Sequence, residues 1–166
     1  MSTRAVGDRS AATALLEERL AWVLRHREQL PFVPQSYTRT LVAASDGYEI
    51  VAMVWAPGIV TPIHDHGDSH CATLLVDGAL RSERFALVDA DDTHARLVAE
   101  GEHVLRAGDL EWLQDARELH RVATASERPA LALHLYAVPL GAYRCIDERD
   151  GTVREARSAY DFVLTR

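Results

Sequence analysis

The amino-acid sequence predicts a mainly β protein, an antiparallel sandwich or barrel that follows one N-terminal α-helical segment. One stretch, residues 10–29, has the three- and four-residue apolar spacing of a helix. After residue 36 the chain changes to short runs rich in β-branched and aliphatic residues, separated by turn sequences such as SDG and DG. No repeat or long linker divides the 166 residues. We therefore expect a single domain, with a helical segment at residues 1–35 and a β-barrel at residues 36–166.

The predicted helix is amphipathic and is expected to pack on the sheet. Its apolar residues recur at helical spacing, namely Leu15, Leu16, Leu20, Val23 and Leu24. Glutamates and arginines occupy the opposite face. Ser10 or Thr13 is the expected N-cap, and Pro31 and Pro34 mark the end of the segment.

Seven runs are expected to form strands. They read TRTLVAA, YEIVAMVWA, CATLLVDG, ERFALVDA, ARLVAEG, HRVATA and ALALHLYAV. Glycine and aspartate turns separate most of them, which favours antiparallel neighbours.

Composition excludes several classes of function. The formal net charge of −7 gives no basic surface for nucleic acid or an anionic membrane. No apolar run approaches the ~20 residues that span a bilayer. The N-terminus lacks the uninterrupted apolar core of a signal peptide, so the cytoplasm is the expected location. The two cysteines, Cys71 and Cys145, cannot form a disulfide framework and suit a reducing compartment.

Histidines cluster in one short stretch, PIHDHGDSHC, at residues 62–71. In a strand, residues two apart point to the same face, so His64 and His66 would form a two-ligand clamp for a metal. Four other histidines remain ligand candidates: His70, His103, His120 and His134. Of the others, His26 and His94 are expected at the surface.

These candidates differ in their surroundings. His103 lies beside a charged turn and is also expected at the surface. His120 and His134 lie in strand-like runs with apolar neighbours. For both, the alternative to a metal ligand is a histidine that is hydrogen-bonded within the core. For His134, a role as an outer hydrogen-bonding residue that supports the metal site also remains open.

The spacing around the pair resembles the first signature of the cupin superfamily. Residues 58–78 read G-x5-H-x-H-x4-C-x6-G. The acidic residue that normally follows the pair is replaced by His70 and Cys71, so the resemblance implies a later histidine as third ligand. His120, in ELHRV, suits the second cupin segment, although Asp115 and Arg117 replace its proline and glycine. The implied architecture is the cupin, or jelly-roll, β-barrel.

Four separated blocks within residues 37–147 resemble the cysteine dioxygenases, which are thiol dioxygenases within the cupins. The blocks are YTRTLV, IHDHGDSHC, LHRV and LHLY. Trp55 precedes His64 by nine residues, as in that family. Matching order and spacing in four blocks is more specific than any single motif.

The resemblance implies a role for each matched residue. It assigns Fe(II) to His64, His66 and His120, the substrate carboxylate to Arg39 with support from Tyr37, and catalytic roles to Tyr136 and His134. His134 would hydrogen-bond near the Tyr136 phenol. Cys71 and Tyr136 match the residues that form a thioether crosslink in the animal enzymes. His70, despite its neighbours, receives no metal.

The implied activity is the oxidation of L-cysteine by O2 to cysteine sulfinate. Three neutral imidazoles leave more positive charge on the metal than a set with a carboxylate, which favours thiolate binding. The planar fork of Arg39 matches a carboxylate. Alternatives are 3-mercaptopropionate or another small thiol as substrate, a metal-binding cupin without oxygenase activity such as a ligand sensor, and a catalytic zinc site. Arg39 argues against 3-mercaptopropionate, because dioxygenases of that type typically carry glutamine there.

The chain departs from the family's SLHxYSPP block, reading ALHLYAVP at residues 132–139. Ala132 replaces the serine, and Ala137–Val138 replaces a Ser-Pro bond that is often cis. A cis bond without proline costs ~2.5–4 kcal/mol, so a trans bond and a reshaped cavity wall are expected. This departure concerns the choice of substrate more than metal binding.

Overall fold

The computed structural model describes residues 8–113 and 115–164. Within this part of the chain lie one α-helix, α1 (Arg9–Arg25), and a 3-10 turn (Arg27–Gln29). Twelve strands follow: β1 (Tyr37–Ser45), β2 (Tyr48–Trp55), β3 (Ile63–His64), β4 (His70–Asp77), β5 (Ala79–Ala90), β6 (Ala95–Arg106), β7 (Leu110–Leu113), β8 (Leu119–Thr124), β9 (Ala130–Ala137), β10 (Ala142–Ile146), β11 (Val153–Arg157) and β12 (Phe162–Val163). The ends of the predicted segments, residues 1–7 and 165–166, lie outside the described residues.

The strands form two six-stranded sheets, so the mainly β prediction is confirmed. Sheet A has the order β12-β1-β2-β9-β4-β7, and sheet B has the order β11-β10-β3-β8-β5-β6. Strand β12 pairs with β1 in parallel, whereas the neighbouring pairs β1–β2, β2–β9 and β9–β4 are antiparallel. Neighbours such as β2 and β9 are far apart in sequence, so the sheets form only when the chain has folded back on itself.

Sheet A is the middle layer of three. On its outer face, Ile50 and Leu133 pack with Leu16 and Val23 of α1. On its inner face, Val51 and Leu75 of sheet A pack with Leu80 and Val122 of sheet B. Because both faces are covered, every residue of β9 is buried. The alternation of β9 therefore directs His134 and Tyr136 inward, away from the helix.

The helix confirms the predicted packing and corrects two details. Its N-cap is Asp8, whose Oδ1 accepts a hydrogen bond from the Ala11 backbone N–H at 2.8 Å, so the prediction of Ser10 or Thr13 was wrong. The helix ends at Arg25 and the tighter 3-10 turn covers the rest of the predicted stretch. Leu24 is 45% exposed, because it lies beside the packed stripe. In the described residues, no helix combines the length and apolar character needed to cross a membrane.

All seven predicted runs coincide with strands, and five further strands were missed. β3 and β12 contain two residues each, too few for any periodic pattern. β10 and β11, AYRCI and VREAR, are largely half-exposed and mix charged with apolar residues. The four-residue β7 is likewise short.

The segment that departs from the family block has an unusual backbone. The Ala137–Val138 bond is trans, as predicted, and Val138 has a φ of 91°, a region that β-branched residues rarely adopt. Its N–H donates to the Gly47 carbonyl at 3.0 Å, and its carbonyl accepts from the Ser69 hydroxyl at 2.7 Å. These two contacts hold the end of β9 against the turn between β1 and β2 and against the chain that follows β3.

Gly67 is expected to tolerate no side chain. Its φ is 61°, and an added Cβ would lie 2.2 Å from the Ala142 carbonyl oxygen. Gly67→Ala should therefore lower the free energy of unfolding by about 2–4 kcal/mol, from backbone strain and a contact that only main-chain movement can relieve. Urea denaturation measures the change. Gly47→Ala is the matched control, because no heavy atom lies within 4 Å of its added Cβ. Equal losses in the two variants would contradict this account.

Candidate metal centre

Three histidines converge on one point between the sheets. His64 is the last residue of β3, His66 follows two residues later, and His120 lies opposite His64 in β8. One ring nitrogen from each lies within 4.8 Å of the other two. His66 and His120 are buried, whereas His64 is partly exposed. These three residues therefore form a cluster that could hold a metal ion.

The turn after β3, rather than strand alternation, aims His66. The strand prediction for the HxH pair was only half right, because β3 ends at His64. The His66 backbone N–H donates to the Ala116 carbonyl at 2.9 Å. Between the two histidines, the buried Asp65 carboxylate accepts from Arg144, with 2.8 Å to its backbone N and 2.7 Å to Nε. An ion pair between the buried Asp65 and the half-exposed Arg144 thus fixes the turn to β10.

In His64 and His120, the Nδ1 atom makes the hydrogen bond of the ring, which leaves Nε2 available for a metal. His64 Nδ1 lies 3.0 Å from the Pro62 carbonyl, which can only accept, so Nδ1 carries the proton and Nε2 keeps its lone pair. His120 Nδ1 lies 3.5 Å from the Ser82 hydroxyl, which donates to the buried Glu111 carboxylate at 2.8 Å. His120 Nε2 is buried and has no hydrogen-bond partner among the described residues. Such outer hydrogen bonds are typical of histidines that ligate metals.

The three imidazoles are neutral at pH 7. Burial lowers the pKa of His64, His66 and His120 below the usual 6.5, and each ring lies near other basic or cationic groups that act in the same direction. A metal must compete with protons for these nitrogens, so a depressed pKa favours the metal. Three neutral imidazoles, two of which have a buried nitrogen without a hydrogen-bond partner among the described residues, fit a divalent transition metal.

The histidine cluster forms one wall of a cavity of about 130 Å³. The opposite wall comes from sheet A and includes Tyr37, Arg39, His134 and Tyr136. The volume is below the ~300–1,000 Å³ of pockets for drug-sized ligands, so the cavity suits a molecule of a few non-hydrogen atoms. A larger open groove of about 740 Å³ lies near Asp91 at the surface, but it contains none of the three histidines.

Arg39, on β1, presents its guanidinium to this cavity. Its Nη1 lies 3.4 Å from the Tyr136 hydroxyl, and the guanidinium carbon lies 5.6 Å from the Tyr136 ring centre. Its Nε donates to the Ala159 carbonyl and its Nη2 to the Ser158 hydroxyl, each at 3.0 Å. Tyr37, two residues before Arg39 in β1, lies on the same face. The cavity therefore has one cationic wall and one wall of neutral metal-ligand candidates.

His134 and Tyr136 are buried side by side, but their hydrogen bonds differ from the expectation. His134 Nδ1 pairs with the Thr73 hydroxyl at 3.1 Å, and its Nε2 has no partner in the described part of the chain. The polar partner of Tyr136 is Arg39 instead. Cys71 lies directly opposite Tyr136 in the β4–β9 ladder. Burial raises the pKa of the Cys71 thiol to about 12 and also raises that of the Tyr136 phenol, so both groups stay protonated.

The remaining histidines lie outside the cluster. His94 is exposed, and His103 is 44% exposed and pairs with Glu111 at 3.2 Å, so both surface predictions are confirmed. His26 is half-exposed, and its ring stacks on Trp22 at 4.2 Å between ring centres. The His70 ring stacks on Trp112, which packs with the helix-side core.

Several residues of the site carry no sequence signal of their own. Met53, Tyr143 and Cys145 line the cavity. Ser158 and Thr73 contact predicted site residues through their hydroxyls. The alternation in the missed strand β10, where Tyr143 and Cys145 are two residues apart, was the one available hint.

The burial of His134 should make stability depend on pH. Burial, helped by the charge of Arg39, lowers the pKa of His134 from 6.5 to about 3. Below pH 6.5 the unfolded chain takes up a proton that the folded chain refuses, so stability falls as the pH falls towards 3. Between about pH 7.5 and about pH 5 this residue should account for about 2 kcal/mol of lost stability in the metal-free protein. Urea unfolding of the wild type and His134→Gln at both pH values measures it, and identical pH dependence would contradict it.

Two largely antiparallel sheets around a three-histidine candidate metal site define the class, a protein with the cupin fold and a site suited to a metal ion. Structural comparison agrees: a Klebsiella pneumoniae protein with a double-stranded β-helix domain matches with a TM-score of 0.56 and 13% identity, covering 72% of this chain and 86% of that one. The cupin domain of a Schizosaccharomyces pombe protein matches with a TM-score of 0.51 and 6% identity, covering 65% of each chain. At these identities the likeness concerns the fold.

The chain belongs to the cysteine dioxygenase type I family, whose model matches residues 11–149. It is 35% identical over 117 residues to the human cysteine dioxygenase type 1, and 34% identical over 117 residues to the bovine protein. In both comparisons the match covers 69% of this chain and 58% of the relative. The chain therefore spans a little over half the length of the curated relatives that it matches.

Proposed function

We propose that this protein is an Fe(II)-dependent thiol dioxygenase that oxidises L-cysteine to cysteine sulfinate. In this reaction both atoms of O2 are added to the thiol sulfur. The observation that carries the proposal is one small cavity with three neutral histidines on one wall and Arg39 with Tyr136 on the other. Family membership supports the same reaction, because the curated relatives are named cysteine dioxygenases. We also propose that it acts in the cytoplasm, the location favoured by its sequence.

Arg39 binds the substrate carboxylate in this proposal. The guanidinium is cationic at any physiological pH, and the neighbouring imidazoles are neutral, so the cavity favours an anionic group. Tyr37 shares the face of β1 with Arg39 and supports that end of the substrate. The carboxylate would be held by charge-assisted hydrogen bonds, about twice as strong as neutral ones.

His64, His66 and His120 hold the iron. When bound, Fe(II) supplies the redox chemistry that allows ground-state O2 to react with a thiol. Tyr136 keeps its proton, because burial raises the pKa of its phenol, and its hydroxyl can donate to the substrate or to oxygen. His134 is neutral and, through Thr73, keeps a fixed ring orientation beside the Tyr136 ring.

A thioether crosslink between Cys71 and Tyr136 is part of the proposal. Their positions are directly opposite in neighbouring strands. The new bond joins the sulfur to a ring carbon, and the two hydrogens and two electrons that leave the thiol and the ring reduce one O2 to hydrogen peroxide. Intact-mass measurement would detect the loss of two hydrogen atoms, and Cys71→Ser would abolish it. An unchanged mass after turnover with iron, O2 and cysteine would refute the crosslink while leaving the dioxygenase proposal intact.

Oxygen consumption by the iron-loaded protein tests the function. L-cysteine, 3-mercaptopropionate and cysteamine are compared in parallel, and sulfinate product is identified by mass. We expect uptake with cysteine to exceed uptake with the other two thiols, since only cysteine offers thiol, amine and carboxylate together. The zinc-loaded protein is the control. No thiol-dependent uptake would refute the proposal, and a preference for 3-mercaptopropionate would change only the substrate.

A further inference from the structure

The last described residues form a strap along the edge of sheet A. We call residues 158–164 the C-terminal strap. Its strand β12 pairs in parallel with β1, with Phe162 opposite Thr40 and Val163 opposite Leu41. The Leu164 backbone N–H extends this pairing by donating to the Leu41 carbonyl at 2.8 Å. The strap lies beyond residue 149, where the match to the family model ends.

Arg39 forms four hydrogen bonds with this strap, donating three and accepting one. Two involve its backbone: the Asp161 N–H donates to the Arg39 carbonyl at 2.9 Å, and the Arg39 N–H donates to Asp161 Oδ2 at 2.8 Å. Two involve its side chain: Nε donates to the Ala159 carbonyl and Nη2 to the Ser158 hydroxyl, each at 3.0 Å. The strap thus holds the guanidinium at two of its three nitrogens.

The strap is itself fixed at both sides of this contact. The Ser158 backbone N–H donates to the Gly141 carbonyl at 2.9 Å. The Tyr160 hydroxyl donates to Glu49, a fully buried carboxylate that also accepts from the Leu140 N–H at 3.2 Å. Leu140 lines the cavity together with Arg39. The position of the strap is therefore coupled to the wall of the cavity.

We propose that Ser158 positions the Arg39 guanidinium, so that the C-terminal strap sets the preference for thiols that carry a carboxylate. An arginine side chain has many rotamers, and a carboxylate benefits fully only from a fork that is already oriented. The Nε and Nη2 contacts fix the plane of the guanidinium and direct Nη1 towards Tyr136. Ser158 acts through Arg39, as a positioning residue. This inference rests on the proposed function.

Ser158→Ala tests the inference by binding. Dissociation constants of cysteine and cysteamine are measured by calorimetry on the iron-loaded protein without oxygen. We expect the constant for cysteine to rise roughly tenfold, the usual effect of losing a hydrogen bond to a charged group, and that for cysteamine, which lacks a carboxylate, to stay unchanged. Ser158→Thr keeps the hydroxyl and should restore most of the affinity. Ser126→Ala is the matched control, because its hydroxyl donates to the Arg128 carbonyl in a loop that does not line the cavity.

A second measurement separates this inference from the function on which it rests. In the metal-free protein, hydrogen exchange at Arg39 Nη2 is followed by NMR, and we expect faster exchange in Ser158→Ala than in the wild type or Ser158→Thr, because the variant removes the acceptor of that group. Absence of thiol-dependent oxygen uptake in the wild type would refute the proposed function alone. Unchanged cysteine affinity, an equal loss for cysteamine, or unchanged Nη2 exchange in Ser158→Ala would overturn the role of Ser158.

Discussion

Replacing His120 by alanine is expected to remove both the metal and the oxygen uptake. His120 supplies one of the three clustered nitrogens, and its Nε2 is buried without a hydrogen-bond partner among the described residues. Altering a residue that merely supports a ligand costs about 10–100-fold in metal affinity or activity. Loss of the ligand itself should therefore lower iron affinity and thiol-dependent oxygen uptake at least about 100-fold. Metal analysis after dialysis and an oxygen electrode measure the two effects.

His94→Ala is the control for this experiment. His94 is exposed, outside the cluster, and near the surface groove. It should keep wild-type metal content and activity. Full metal content in His120→Ala would show that His120 is not a metal ligand. If activity were lost while the metal was retained, His120 would instead act in the reaction after metal binding.

Replacing Arg39 by alanine should raise the KM for cysteine about tenfold to a hundredfold, with a smaller effect on kcat. The reason is the loss of charge-assisted hydrogen bonds to the carboxylate, worth about 1.5–3 kcal/mol. Steady-state oxygen uptake over a range of cysteine concentrations measures both constants. Arg154→Ala is the matched control, because Arg154 is exposed on β11 and does not line this cavity.

Arg39→Lys separates charge from geometry. Lysine keeps the positive charge but lacks the planar fork and the Nε contact with the strap, so the KM should lie between those of the wild type and Arg39→Ala. An unchanged KM in Arg39→Ala would remove Arg39 from the substrate site. A fall in kcat without a change in KM would show that Arg39 acts on the reaction itself, through its contact with Tyr136, rather than on substrate binding.

The three-histidine cluster and the place of Arg39 in the same cavity were predictable because these residues lie in motifs with fixed spacing. His64 and His66 form a local pattern, and the family resemblance linked them to the distant His120, which alternation within β8 could not have done. The seven longer strands were predictable for a different reason. Each is long enough for its β-branched and aliphatic residues to form a recognisable run, which is continuous in β9, where both faces are covered.

The rest of the site depends on contacts between distant segments. Ser158 and Thr73 act through single hydroxyls on residues far along the chain, and a hydroxyl in a sequence does not reveal its partner. The strands β3 and β12 owe their existence to neighbours in the sheet, since two residues have no pattern of their own. The N-cap was misplaced because Asp8, Ser10 and Thr13 are all good capping residues, and the choice depends on where the helix docks.

The two walls of the cavity belong to different sheets. His64 and His120 come from sheet B, whereas Arg39 and Tyr136 come from sheet A. Substitutions on the inner face of sheet A can thus alter which small molecule is accepted without touching the strands that carry those two histidines. In the proposed enzyme, sheet B would carry two of the three metal ligands, and sheet A would carry both Arg39 and Tyr136, so a loss of metal and a change of substrate would follow from substitutions in different sheets.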